Sequence, residues 1–135
     1  MQLLPVRIHV LVVEDDRDLR ESLLEVLEEA GYSSSGAEDG LAALAHLQAE
    51  ARRPDLILLD LQMPRMDGPS FRAEQLKLPT LANIPVVVVT ANADAAQQGR
   101  LLGARAVLRK PLKLPQLLEL IPQVVSAGGA GEGTE

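Results

Sequence analysis

The stretch Asp55-Leu-Ile-Leu-Leu-Asp60-Leu-Gln-Met-Pro64-Arg-Met-Asp67-Gly68 decides how the chain is read. Leu56 to Leu59 form a short continuous apolar run that Asp60 ends, and Pro64 and Gly68 punctuate the loop beyond it. An unbroken run of this kind fits a strand buried on both faces, as strands of parallel sheets are. A carboxylate at the C-terminal end of such a strand stands at the sheet rim, where open α/β folds bind ligands and do chemistry. The flanking sequence has to show what gathers around Asp60.

Upstream, Ile8 to Val13 is a β-branched run that ends in Glu14-Asp15-Asp16. The pattern then turns helical, with Leu19, Leu23, Val26, Leu27 and Ala30 on one face, acidic residues on the other, and Gly31 as the stop. Tyr32 to Ala37 is a weak second strand, because three consecutive serines bury little. Asp39-Gly40 opens a second helix with Leu44, Leu47 and Ala51 on its inner face.

Downstream of Gly68 the third helix is poorly specified, with Phe71 and Leu76 as its inward candidates. Pro79 ends it, and Ile84 to Thr90 is a buried strand with Thr90 at its end. Asp94 is placed to cap a short helix through Leu102, in which Gly99 costs about 1 kcal/mol relative to Ala. Gly103-Ala104 turns into a fifth strand, Ala106 to Arg109, that closes with Lys110-Pro111. The last helix carries Leu114, Leu117, Leu118, Ile121 and Val125 on one face, with Pro122 expected to kink or shorten it. Residues 1–125 therefore read as one domain, and 126–135 as a flexible Gly-rich tail.

Strands alternating with helices in this way imply an α/β, doubly wound parallel sheet covered on both faces. Every distinctive polar residue then falls at a strand C-terminus and on one edge: Glu14 and Asp15, Asp60, Thr90, and Lys110. Two unit charges about 4 Å apart repel by about 4 kcal/mol at an effective dielectric of about 20. One lysine cannot cancel three such anions, so a divalent cation is the natural completion. Oxygen ligands without His or Cys favour Mg²⁺, with Mn²⁺ as the alternative, over zinc. A hard cation beside a strand-end Asp, with Lys and Thr opposite, suits transfer of a phosphoryl group onto Asp60 as nucleophile.

Composition narrows the field. Hydrophobic residues make up 47% of the 135, which excludes a disordered chain, yet Tyr32 and Phe71 are the only aromatics. Stacking of bases is therefore implausible, and a net charge of −6 argues against nucleic-acid or anionic-membrane surfaces. With no Cys, disulfides and thiolate metal sites are excluded. No apolar run approaches a membrane span, and Met1-Gln-Leu-Leu-Pro-Val-Arg7 lacks a signal-peptide pattern, so a cytoplasmic protein is expected. His9 lies in a strand and His46 on a helix, far apart in this reading, so neither is expected in a metal or relay site.

Taken together, in this order and spacing and with Met63-Pro64 and Asp67-Gly68 following Asp60, these residues resemble the response-regulator receiver domains of two-component signalling, from about Ile8 to Ile121. The resemblance implies a flavodoxin-like (βα)5 fold with strand order 2-1-3-4-5. It implies a non-enzyme, catalysing only its own phosphorylation and dephosphorylation, with Asp60 taking the phosphoryl group from a sensor histidine kinase or a phosphotransfer protein. Asp15 and Asp60 would ligate Mg²⁺ directly, the backbone carbonyl of Gln62 would complete the protein ligands, and Glu14 would act through water. Thr90 would donate to a phosphoryl oxygen, Lys110 would pair with its charge, and the Lys110–Pro111 bond would be cis. A downstream protein target, and phosphorylation-linked homodimerisation through the output face, are further implications. Leu24 lies where receivers carry part of a kinase-docking patch, although it and Leu120 also fit plain core contact. Asp16 is expected to cap the first helix or face water rather than bind metal, and Asp67 to be a loop and turn residue rather than a ligand.

Three positions depart from the family. The second switch position, usually Tyr or Phe, is Val107, so an aromatic ring cannot couple to Thr90. The segment from Thr90 to Gly103 is short for the family, and Arg72 and Gln75 occupy places on the third helix that are normally apolar. Two other readings compete. A phosphorylation-independent adaptor would keep the fold but has no need of the intact Glu14, Asp15, Asp60, Thr90 and Lys110 set. A haloacid-dehalogenase-type phosphatase needs an acid/base residue two positions after its nucleophile, and Gln62 cannot exchange a proton.

Overall fold

The computed structural model describes residues 7–49 and 53–133, with side chains through Ser126. Ala51 and the opening residues 1–6 lie outside the described residues. Five strands, β1 (His9–Val13), β2 (Ser33–Ala37), β3 (Leu56–Asp60), β4 (Val86–Thr90) and β5 (Ala106–Arg109), form one parallel sheet in the order β2-β1-β3-β4-β5. The intervening helices are α1 (Arg17–Glu29), α2 (Gly40–Ala49), α3 (Gly68–Leu76), α4 (Ala95–Leu102) and α5 (Leu114–Gly133).

The two faces of the sheet carry separate aliphatic cores. Leu11, Val13, Ile57, Leu59, Val86 and Val88 pack against Ala43 and Leu47 of α2 and Phe71 of α3. Val10, Val12, Leu56, Leu58, Val87 and Val89 pack against Leu23 and Leu27 of α1 and Leu117, Ile121 and Val124 of α5. Alternate residues of β1, β3 and β4 thus serve opposite cores, which is why these strands read as unbroken apolar runs. Leu24 and Leu120 are half-buried and pack against the second core.

Differences from the sequence reading have local causes. On α3 the inward residues are Phe71, Arg72 and Gln75, whereas Leu76 is half exposed. Polar residues tolerate that place because Gln75 donates to the carbonyls of Leu81 (2.8 Å) and Ile84 (3.2 Å) and accepts from Arg72 (2.8 Å). Asp94 stands at the N-cap of α4 but makes no side-chain cap bond; its own N–H donates instead to Asn92 Oδ1 at 2.9 Å. Ala30, expected on the inner face of α1, is exposed beyond the helix end. Pro122 lies exposed inside α5 without ending it, since Leu117, Ile121 and Val124 hold the turns on both sides against the sheet. The helical backbone continues to Gly133, past the boundary expected at residue 125.

β2 is one of the two edge strands, and side-chain hydrogen bonds supply what its serines lack in apolar area. His9 Nδ1 lies 2.7 Å from Ser33 Oγ, and His9 Nε2 lies 2.8 Å from Ser35 Oγ. Ser35 Oγ is also 3.0 Å from His46 Nε2. His9 and His46 are thus joined through one hydroxyl rather than remote from each other. The pleat produces this: alternate residues of β2 share a face, and α2 packs across that edge.

Candidate functional site

The parallel register brings the C-terminal ends of the strands to one rim. Glu14 and Asp15 follow β1, Asp60 closes β3, Thr90 closes β4 and Lys110 follows β5. Backbone bonds fix these ends: Glu14 N–H donates to Ala37 O (3.0 Å), Leu61 N–H to Val89 O (3.3 Å), and Lys110 N–H to Thr90 O (2.9 Å). The acidic turn after β1 is held by Arg20, which donates to the Glu14 carbonyl at 2.7 Å, and by Asp16 N–H, which donates to the Glu14 carboxylate at 3.1 Å. Asp16 turns away to cap α1, accepting from Leu19 N–H at 3.1 Å. Asp67 caps α3 in the same way, accepting from Ser70 N–H at 2.8 Å.

Carboxylate oxygens of Glu14, Asp15 and Asp60 lie within 4.8 Å of one another. Glu14 and Asp60 are buried, while Asp15 opens to solvent. The Lys110 ammonium enters from β5, 3.1 Å from a Glu14 oxygen and 3.6 Å from Asp60 Oδ1. Asp60 also accepts from Gln62 N–H at 3.3 Å. Thr90 is buried, and its Oγ1 accepts from Asn92 N–H at 3.1 Å. Lys110–Pro111 is a cis peptide bond.

Charge is unbalanced in this cup. Burial, and then the Glu14 charge and the Asp15 contact, raise the Asp60 carboxyl to about 7, against opposing pulls from Lys110 and the Gln62 N–H. Burial acts to lower Lys110, but its bond to Glu14 and the charges of Asp60 and Asp15 outweigh that and raise it. The Lys110 ammonium is favoured there but ionised Asp60 is not, and a hard dication meets that need. The donors are all oxygens, three carboxylates converge, and Asp15 leaves the site open to solvent. The residues fit such an ion.

The structural roles of two neighbours were not readable from the sequence. Gly68 lies under the strand end so closely that a Cβ there would fall 2.7 Å from the Asp60 carbonyl oxygen; the loop after Asp60 folds back only because that atom is missing. Arg65, at a positive φ of 65°, reaches Glu38 and the buried Asp39 and ties this loop to the start of α2. The glycine was visible as turn punctuation; nothing in the sequence signals the Arg65 clasp. Val107 is not at the rim. It faces α4, packed with the first core and against Gly99.

The pattern of the response regulator receiver domain matches residues 10–122. The chain belongs to the response-regulator receiver family. This receiver is 40% identical over 135 residues to the response regulator MprA of Mycolicibacterium vanbaalenii, covering 96% of this chain and 56% of that protein. It is 40% identical over 113 residues to MprA of Mycobacterium tuberculosis, covering 82% of this chain and 47% of the relative. The receiver thus spans about half the length of the curated relatives it matches. Among solved structures, the CheY-like receiver domain protein of Methanospirillum hungatei superposes with a TM-score of 0.82 at 26% identity, over 93% of this chain and 99% of the other. The signal receiver domain of a histidine kinase from Syntrophus aciditrophicus gives 0.77 at 33% identity, over 88% and 90%.

Family membership sets the coarse function: a receiver domain of two-component phosphorelay signalling. Receivers of this family take phosphoryl groups from histidine kinases and bind Mg²⁺ through acidic residues, and this receiver has such an acidic cluster. Among the described residues, no helix is long and apolar enough to cross a membrane.

Proposed function

We propose that this receiver accepts a phosphoryl group on Asp60, from a phosphohistidine of a sensor kinase or phosphotransfer protein, in a Mg²⁺-dependent step. The observation that carries this reading is the convergence of Glu14, Asp15 and Asp60 within 4.8 Å, with the Lys110 ammonium 3.6 Å from Asp60. Asp15 and Asp60 side chains and the Gln62 carbonyl would hold the cation, with Glu14 acting through water. Bound there, Mg²⁺ would neutralise charge on the phosphoryl oxygens and on the carboxylates that otherwise repel them.

An Asp60 carboxylate oxygen attacks phosphorus, the phosphorus–nitrogen bond to the donor imidazole breaks, and the imidazole leaves with the bond's electron pair. The product is an acyl phosphate on Asp60. Lys110 then exchanges its Glu14 contact for the added phosphoryl charge, and Thr90 turns its hydroxyl proton toward a phosphoryl oxygen. Those two side chains end β4 and follow β5, so the change reaches the loop after β4, α4 and the outer face of β5. A surface there, altered in population rather than created, is read by a downstream protein or a second copy of the chain. Val107 replaces the usual aromatic switch, so the movement passes through α4 packing instead of a rotating ring.

Incubation with a labelled small phosphoryl donor such as acetyl phosphate tests the reading. Incorporation should need Mg²⁺ and vanish in Asp60→Asn; label persisting in that variant would place the acceptor elsewhere.

A further inference from the structure

At the sheet edge opposite the Asp60 rim, Arg72 and Arg105 line a cavity of about 150 Å³ together with Asn83, Ile84, Pro85 and Gly103. Arg72 comes from α3 and is only 8% exposed. It gives Nε–H to Leu102 O (2.9 Å), one Nη1 hydrogen to Gln75 Oε1 (2.8 Å) and one Nη2 hydrogen to Gly103 O (3.3 Å). All three acceptors are neutral. A guanidinium has five N–H donors, so one on each terminal nitrogen is left over.

Arg105, exposed at the start of β5, faces the same cavity. Among the described residues neither arginine has a carboxylate partner. Burial first, and then the Arg105 charge, lower Arg72 from the usual guanidinium range. A chain of net charge −6 has acids to spare, yet two cations line this cavity and none of its lining side chains is acidic. Capping the last carbonyls of α4 accounts for Arg72 alone. It accounts neither for Arg105 nor for the space between the two.

We propose that this cavity is a binding site for a phosphate dianion, free or as the phosphomonoester of a small metabolite, held between Arg72 and Arg105. Two guanidinium charges match one dianion, and Arg is the side chain best suited to fork onto phosphate oxygens. The cavity is polar on the Arg and Asn83 side and large enough for several waters, hence for a phosphate group. Because Arg72 also holds Leu102 and Gly103, occupancy would bear on the C-terminal end of α4.

Isotope-labelled protein in EDTA, titrated with inorganic phosphate against chloride at matched ionic strength, tests the site by amide shifts. Saturable shifts at Asn83, Gly103 and Arg105 with phosphate but not chloride are expected, and Arg105→Gln should weaken them about tenfold or more without altering the thermal midpoint. A parallel titration with glycerol phosphate separates the sources: tighter binding of the ester marks a metabolite, equal or weaker binding marks the free ion. Absence of saturation, an equal response to chloride, or unchanged binding in Arg105→Gln would overturn the proposal. So would shifts confined to Thr90 and Lys110, which would assign the anion to the Asp60 rim.

Discussion

Gly99 on α4 packs directly onto Val107 of β5, so that a Cβ at position 99 would lie well inside the van der Waals radius of a Val107 methyl. The glycine costs helix propensity but admits the valine, and the pair sets how close α4 comes to the sheet. Gly99→Ala should therefore destabilise, by about 1–3 kcal/mol of overpacking against about 1 kcal/mol of helix gain. Adding Val107→Ala should recover part of that loss, a coupling that a double-mutant cycle in urea measures. Simple additivity would show that the two do not share one contact.

The crowded carboxylates predict an inverted pH response. Asp60, raised to about 7 when folded from an ordinary 3.8, holds its proton in the folded state across a window where the unfolded chain has lost it. Unfolding then releases a proton, so metal-free stability falls as pH rises from roughly 4 to 7 and levels off above. Asp60→Asn removes this, and should be more stable than the parent by roughly 1–3 kcal/mol at pH 8 in EDTA. The gap should close near pH 4 or on adding Mg²⁺ to the parent. Denaturant melts at the two pH values check both.

Asp39 predicts the opposite sign. Burial acts to raise its carboxyl, but the Ala42 N–H and the Arg65 guanidinium outweigh that and hold it below the usual range. A depressed acid contributes stability that is present above its unfolded pKa and lost as pH falls through the folded one. Arg65→Ala should lower the thermal midpoint at pH 7, with the deficit shrinking below about pH 4. An equal deficit at both pH values would mean the clasp acts by packing alone.

Lys110 sits closer to Glu14 than to Asp60 in this structure, 3.1 Å against 3.6 Å. Lys110→Ala should retain phosphoryl incorporation while losing the accompanying amide shifts in α4 and β5. An unaltered shift pattern would remove Lys110 from the response.

Much of this architecture was legible from sequence because buried parallel strands read as bare apolar runs. Leu56 to Leu59 and Val86 to Val89 left no other choice, and each ended in a polar residue that had to stand on the rim. What stayed hidden depended on partners far along the chain. Arg72 and Gln75 look like surface residues until the carbonyls of Leu81, Ile84 and Leu102 arrive to satisfy them. Gly99 reads as a propensity cost because Val107 lies on another element. His9 and His46 look unrelated until the pleat of β2 puts Ser35 between them.

Borohydride reduction followed by peptide mapping tests the central claim most directly, since it converts an aspartyl phosphate to homoserine at the residue that carried it. After incubation with acetyl phosphate and Mg²⁺, homoserine should appear at position 60, and EDTA should abolish it. Homoserine at Asp15 or another acid, or a yield indifferent to EDTA, would contradict the account.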